Sequence, residues 1–238
     1  MKGATIPSEV RLGYDTLRGL QNFMRLIQRP LKMSEAIVKH QDELSNCTRC
    51  ENMIGPSVIC QPISASIMLV GQAPGDKEPK LGRPFAWTAG KTLFKWFSSI
   101  GVDEEAFRQN VYMAAVCRCF PGKNPKGGDR VPDKQEIANC QQWLKKEYQI
   151  LQPKLIIPVG KLAIGQYLTA NKLVDVVGQQ FVLDNDLIHA DCIPLPHPSG
   201  LSTWFRMEPG KSLLQDALGL IEKHPAWLEL MEKNIRVT

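Results

Sequence analysis

The chain has 238 residues with 29 Lys and Arg against 24 Asp and Glu, a formal charge of +5, a length that suits one large α/β domain or two small ones. Its 43% hydrophobic and 22% charged content excludes a disordered or low-complexity chain and matches ordinary globular composition. The mild basicity is compatible with nucleic acid without requiring it, and no apolar run reaches the length of a membrane span.

Residues 1–45 read as a helical N-terminal extension: Val10, Leu17, Leu20, Met24 and Ile27 recur at helical spacing, Arg29-Pro30 breaks the run, and Ser34 with Glu35 opens a second short helix. Residues 46–238 then alternate strand and helix. Ser66–Gly71 is an apolar, buried parallel strand. The turn Gly71-Gln72-Ala73-Pro74-Gly75 follows it, at the strand end where open α/β sheets bind ligands. After a charged loop, Thr88 caps a helix with Leu93, Phe94, Phe97 and Ile100 inward.

Val111–Val116 is the second strand, followed by a Gly-, Pro- and Lys-rich loop, Cys119–Pro132. Asp133 caps a helix to about Ile150, with Ile137, Cys140, Leu144 and Tyr148 on one face. Leu155–Val159 is the third strand, and Gly160 starts a helix to about Leu168. Val174–Ala190 reads as a hairpin turning at Asp184-Asn185-Asp186, and Asp191–Leu195 as the last parallel strand. Gly210–Lys223 and Ala226–Asn234 are terminal helices. The alternation predicts a three-layer α/β sandwich around a mainly parallel, four-stranded sheet, plus the N-terminal helical extension.

The polar N-terminus lacks the apolar segment of a signal peptide, so the expectation is a cytoplasmic, reducing setting. The seven cysteines are then core residues, metal ligands or reactive thiols, not disulfides. Cys47 and Cys50 form a C-x2-C pair, and Cys119 and Cys140 are the next candidates. Four such thiolates hold either a [4Fe-4S] cluster or a structural Zn²⁺, and spacing alone leaves both open. Cys117 competes with Cys119, because residues two apart on a strand share a face. Cys117 and Cys192 otherwise read as core thiols.

Taken in order, these residues resemble the uracil-DNA glycosylase superfamily, most closely its iron–sulfur branch (families 4 and 5). Gly71-Gln72-Ala73-Pro74-Gly75 is similar to that branch's G-E-A-P-G motif, Gly82-Arg83-Pro84-Phe85 follows at the family's distance, and the four cysteines keep the family's order. His197-Pro198-Ser199-Gly200-Leu201-Ser202 resembles the second motif. The resemblance spans about Leu44 to Ile221. It implies hydrolysis of the N-glycosidic bond of a deaminated base, uracil first, flipped out of DNA. It further implies a [4Fe-4S] cluster on Cys47, Cys50, Cys119 and Cys140, in preference to zinc, and DNA carrying a deaminated base as the partner of a monomer with no membrane association.

Carried over position by position, the resemblance makes His197 the donor to the leaving base anion. Gln72 and Ala73 occupy the first motif's catalytic positions, and Phe85 stacks on the base. Ala115 stands where the branch has an Asn that reads uracil's edge. Ser199 and Leu201 meet the phosphate and the base stack, with Lys123 and Arg130 following the DNA backbone.

Two departures matter. Ala73 stands where other branches carry a water-positioning Asp, leaving Asp76 and Glu78 as nearby carboxylates that orient water or are solvated loop charges. An alanine at 115 removes paired hydrogen bonds, which predicts broadened base choice. The loop Phe120–Pro132 has no His, which argues against a covalent variant of the reaction. The alternative function is a catalytically weak, damage-binding protein on the same fold.

Overall fold

The computed structural model describes residues 35–200 and 202–235. The helix expected over Val10–Ile27 and the residue Leu201 lie outside the described residues. The described part starts with helix α1 (residues 35–45). It continues through β1 (Ile67–Gly71), α2 (Glu78–Leu81), α3 (Thr88–Ser98), α4 (Glu104–Asn110), β2 (Val111–Ala115), α5 (Lys134–Leu151), β3 (Leu155–Pro158), α6 (Lys161–Ile164), β4 (Phe181–Asp184), β5 (His189–Cys192), α7 (Gly210–Lys223) and α8 (Pro225–Ile235).

The sheet order is β2-β1-β3-β5-β4. β1 runs parallel to β2 and β3, and β3 parallel to β5. Four strands are thus parallel, as the alternation implied, and β4 adds a fifth, antiparallel to β5 at the edge. The hairpin turns at Asn185, whose Oδ1 accepts the N–H groups of Leu187 (3.0 Å) and Ile188 (3.1 Å), an Asx turn. β5 starts two residues earlier than expected, because the short turn delivers His189 directly opposite Asp184. Leu195 still bridges to Val159.

Side chains alternate along the strands and build a core on each face of the sheet. Ile67, Leu69, Val111, Met113, Leu155 and Ile157 pack with α3, α4, α7 and α8. Met68, Val70, Tyr112, Ala114 and Ile156 pack with α1 and α5. α1 is built into that second core: Ile37 and Leu44 are fully buried, and Gln41 donates to the Tyr112 hydroxyl. Beneath it, Glu147 accepts from Tyr112 at 2.8 Å and from Arg118, with His40 at 3.3 Å.

Three local expectations need correction. Trp87, in extended conformation, is the N-cap of α3, with Thr88 already helical and no side-chain cap present. The helix after Gly160 stops at Ile164, capped by Gly165. α4 was not foreseen, although Asp103 caps it by accepting the Ala106 N–H. It is a single apolar residue, Phe107, that it buries, too few for a helical period to register. Among the described residues no helix is long and apolar enough to cross a membrane.

Candidate functional site

β1 lies between β2 and β3, which the chain reaches in opposite directions, so the C-terminal ends of these strands open onto a crevice. A cavity of about 530 Å³ sits there, and its walls include Gln72, Ala73, Phe85, Ala115 and His197. The fold therefore brings together five positions spread over 126 residues of sequence.

The turn after β1 stays beside β2: the Val116 and Cys117 N–H groups donate to the Gly71 and Gln72 carbonyls, both at 3.0 Å. Glu78 closes the turn from the other side. Its carboxylate accepts from the Gly75 N–H at 2.6 Å and the Ala86 N–H at 3.2 Å. Burial pushes this carboxyl above its ordinary value against the pull of those amides. Glu78 is thus neither a solvated loop charge nor free to orient water; both oxygens fasten the Gly71–Gly75 turn to the Phe85 loop.

Phe85 adopts a φ of +51°, uncommon outside glycine. Arg108 holds it there, donating to the Pro84 carbonyl at 2.9 Å and the Phe85 carbonyl at 3.2 Å, with its guanidinium over Phe94 at 4.6 Å. Two glycines make room. A Cβ on Gly90 would lie 1.7 Å from the Phe85 oxygen, and one on Gly71 would lie 3.0 Å from the Phe85 ring. The ring therefore rests directly on backbone at the cavity wall. Trp87, 51% exposed, stands beside it on the rim.

Opposite, His197 lies against Gly160, whose φ of +86° and missing Cβ leave the ring 3.0 Å from where that Cβ would be. The Ser199 N–H donates to His197 Nδ1 at 3.2 Å. In the neutral ring this puts the proton on Nε2, the donor that His197 retains for the cavity. Burial holds the imidazole below its ordinary value, with Asp129 pulling weakly the other way, so the neutral donor form prevails at neutral pH. Ala115 contributes only a methyl group at the end of β2, while its carbonyl accepts from Arg118 Nε at 3.0 Å.

The basic loop is less free than its sequence suggests. Arg130 pairs with both Glu136 oxygens at 2.7 Å and donates to the Pro121 carbonyl at 2.7 Å, so it braces the loop and is not a loose cation for phosphate. Lys123 bridges Asp129 at 2.7 Å and Asp76 at 3.3 Å and stays half-exposed at the cavity mouth. Ser199 lines the cavity too. Leu201 lies outside the described residues.

A second cavity, of about 260 Å³, is lined by Cys47, Cys50, Cys119 and Cys140, with Arg118 beside them. Cys117 is not among its walls; it is fully buried beside Cys140, and their interaction pushes the Cys117 thiol up and the Cys140 thiol down. The C-x2-C pair reaches this place because Ile54 and Phe120 form an antiparallel bridge. Asn139, one residue before Cys140, then donates to the Arg49 carbonyl at 3.2 Å and to Cys50 Sγ at 3.5 Å. Among the described residues no three His, Cys, Asp or Glu side chains close on a point as a ready single-ion site. The Nη1 of Arg118 is buried and has no hydrogen-bond partner among the described residues.

Sequence reasoning missed Glu78 as a brace, and it missed Arg108, Arg118 and Trp87 altogether. A buried arginine leaves no mark in sequence. A Trp among Ala86, Thr88 and Ala89 was a visible signal.

A family model described as the uracil DNA glycosylase superfamily matches residues 58–218. A type-4 uracil-DNA glycosylase from Sulfurisphaera tokodaii is 38% identical over 98 residues, 41% of this chain and 40% of that protein. One from Pyrobaculum aerophilum is 34% identical over 118 residues, 48% and 56% of the two chains. One from Thermotoga maritima is 29% identical over 135 residues, 56% and 66%. The chain thus spans about half the length of the curated relatives it matches.

Proposed function

Because the chain belongs to the uracil DNA glycosylase superfamily, we propose that it hydrolyses the N-glycosidic bond of a deaminated base flipped out of DNA, as the first step of base-excision repair inside the cell. The observation that carries this reading is the pairing, across one cavity, of an aromatic face at Phe85 with a neutral imidazole donor at His197. A base in a duplex is out of reach and must be extruded. Phe85 then stacks on it, worth about 1–3 kcal/mol in aromatic–base contacts.

As the bond to the sugar lengthens, negative charge gathers on the base oxygens. His197 Nε2–H donates to that charge more strongly in the transition state than in the ground state. Half-buried and seated on Gly160, it has little reorganisation left to undergo. Ser199 contacts the flanking phosphate, and Lys123, half-exposed at the mouth, offsets the charge of Asp76 and Asp129 where the backbone passes.

Ala115 offers no edge to read. A methyl group neither rewards uracil nor penalises another deaminated base, so uracil and hypoxanthine are both accepted, with weaker discrimination than a hydrogen-bonding side chain gives.

Cys47, Cys50, Cys119 and Cys140 are the proposed ligands of a [4Fe-4S] cluster. The thiols surround a space, which suits a multi-atom cluster better than one Zn²⁺ with Zn–S near ~2.3 Å. The orphaned Arg118 Nη1 beside them suits sulfur acceptors. The cluster supplies a structural cross-link, tying the segment before β1 to the β2 loop and to α5.

Ala73 and Ala115 support the second reading, a damage-binding protein without efficient catalysis. Incubating the protein with oligonucleotides bearing one uracil or hypoxanthine, and measuring the free base, separates the two. Base release supports the glycosylase; tight, damage-selective binding without release supports the alternative.

A further inference from the structure

Hydrolysis needs a group that holds the attacking water, and the first motif supplies none at Ala73. Among the described residues, three carboxylates border the cavity: Asp76, Glu78 and Asp129. Glu78 has both oxygens on backbone N–H groups. Asp76 presents one oxygen, Oδ2, to two exposed lysines, Lys77 at 3.7 Å and Lys123 at 3.3 Å, both longer than the Lys123–Asp129 contact.

Asp129 differs. Its Oδ1 is anchored by Lys123 Nζ at 2.7 Å. Its Oδ2 lies 3.3 Å from the point a Cβ on Gly75 would occupy, directly over the turn. The antiparallel bridge Lys123↔Asp129 and the Asn124 N–H to Gly128 carbonyl bond at 3.0 Å stiffen the loop that carries it. Across the cavity its charge reaches His197. One oxygen is thus fixed by an ammonium group, while the other faces the Gly71–Gly75 turn with no hydrogen-bond donor on it among the described residues.

We propose that Asp129 is the carboxylate that positions and deprotonates the attacking water; the assignment rests on the glycosylase reading. In this step the water oxygen bonds to C1′ of the sugar. The C1′–N bond breaks, and its electron pair leaves with the base, whose oxygen takes the His197 Nε2–H hydrogen bond. The water proton passes to Asp129 Oδ2 and from there to solvent or the departing base. The products are an abasic sugar bearing a C1′ hydroxyl and the free base. Lys123 keeps the carboxylate oriented, and Glu78 keeps the turn beneath it in place.

The test is single-turnover base release from a uracil oligonucleotide, with DNA affinity measured in parallel, for wild type, Asp129→Asn and Asp129→Ala. Asn preserves the acceptor for Lys123 and removes the base, so the expected result is a rate loss of about 100-fold or more with DNA affinity retained. Added formate, a small external carboxylate, restores part of the rate in Asp129→Ala and none in His197→Ala. A wild-type rate in Asp129→Asn overturns the assignment, as does a loss confined to DNA affinity or a rate loss that formate leaves unchanged. Absence of base release by the wild type instead overturns the glycosylase reading, and the assignment with it.

Discussion

Gly160→Ala tests how His197 is seated. Gly160 has φ 86° and ψ 162°, in a region that is essentially glycine-only, where another residue costs about 1–3 kcal/mol. The new methyl would also lie 3.0 Å from His197 Cδ2 and 3.1 Å from its Cβ, so the ring must retreat by a few tenths of an ångström. Misplacement of a catalytic group by ~1 Å costs on the order of 100-fold, so a rate loss between a few-fold and that figure is expected. Urea unfolding and single-turnover base release measure the two effects separately.

Gly219→Ala is the control. Gly219 lies inside α7 with open space where its Cβ would be, and there alanine stabilises by about 0.5–1 kcal/mol with no effect on rate. If Gly160→Ala unfolds at the wild-type urea midpoint and releases base at the wild-type rate, the backbone at Gly160 does not seat His197.

Three further outcomes follow from the same geometry. Ala115→Asn places a hydrogen-bonding amide at the cavity wall and is expected to raise the uracil rate relative to hypoxanthine; an unchanged ratio in a competition assay argues against the specificity account. Glu147→Gln strands the buried Arg118 charge and is expected to cost about 3–5 kcal/mol in urea unfolding. Burial alone would raise the Glu147 carboxyl, but Arg118, with His40 and Tyr112, holds it below the ordinary value. Its contribution is therefore present above the unfolded carboxylate's pKa and lost as pH falls through the depressed folded one, an acid-side dependence absent from the variant. Finally, Cys119→Ser is expected to abolish the visible absorbance and bound iron of purified protein, while Cys117→Ser keeps both; the reverse pattern would exchange the two residues' roles.

The parts of the molecule legible in sequence were those written in local pattern. Ile67–Val70 and Leu155–Ile157 are buried on both faces and read as continuous apolar runs. The order of the glycine turn, Phe85, the cysteines and the His197 segment carried the family resemblance, and the family model bears it out. β4 was harder, because an edge strand with only Leu183 buried leaves a weak alternation. The tasks of charged residues were hardest. Glu78 and Arg130 look like loop charges until the fold turns Gly75, Ala86 and Glu136 toward them. Such contacts are set by tertiary placement and have no sequence period to betray them.

The central claim is that His197 stabilises the departing base. The direct measurement is the single-turnover rate of uracil release by wild type and His197→Ala, each beside its affinity for the same DNA. The account predicts a fall of about 100- to 1,000-fold in rate with binding retained. Equal rates in the two proteins would contradict it.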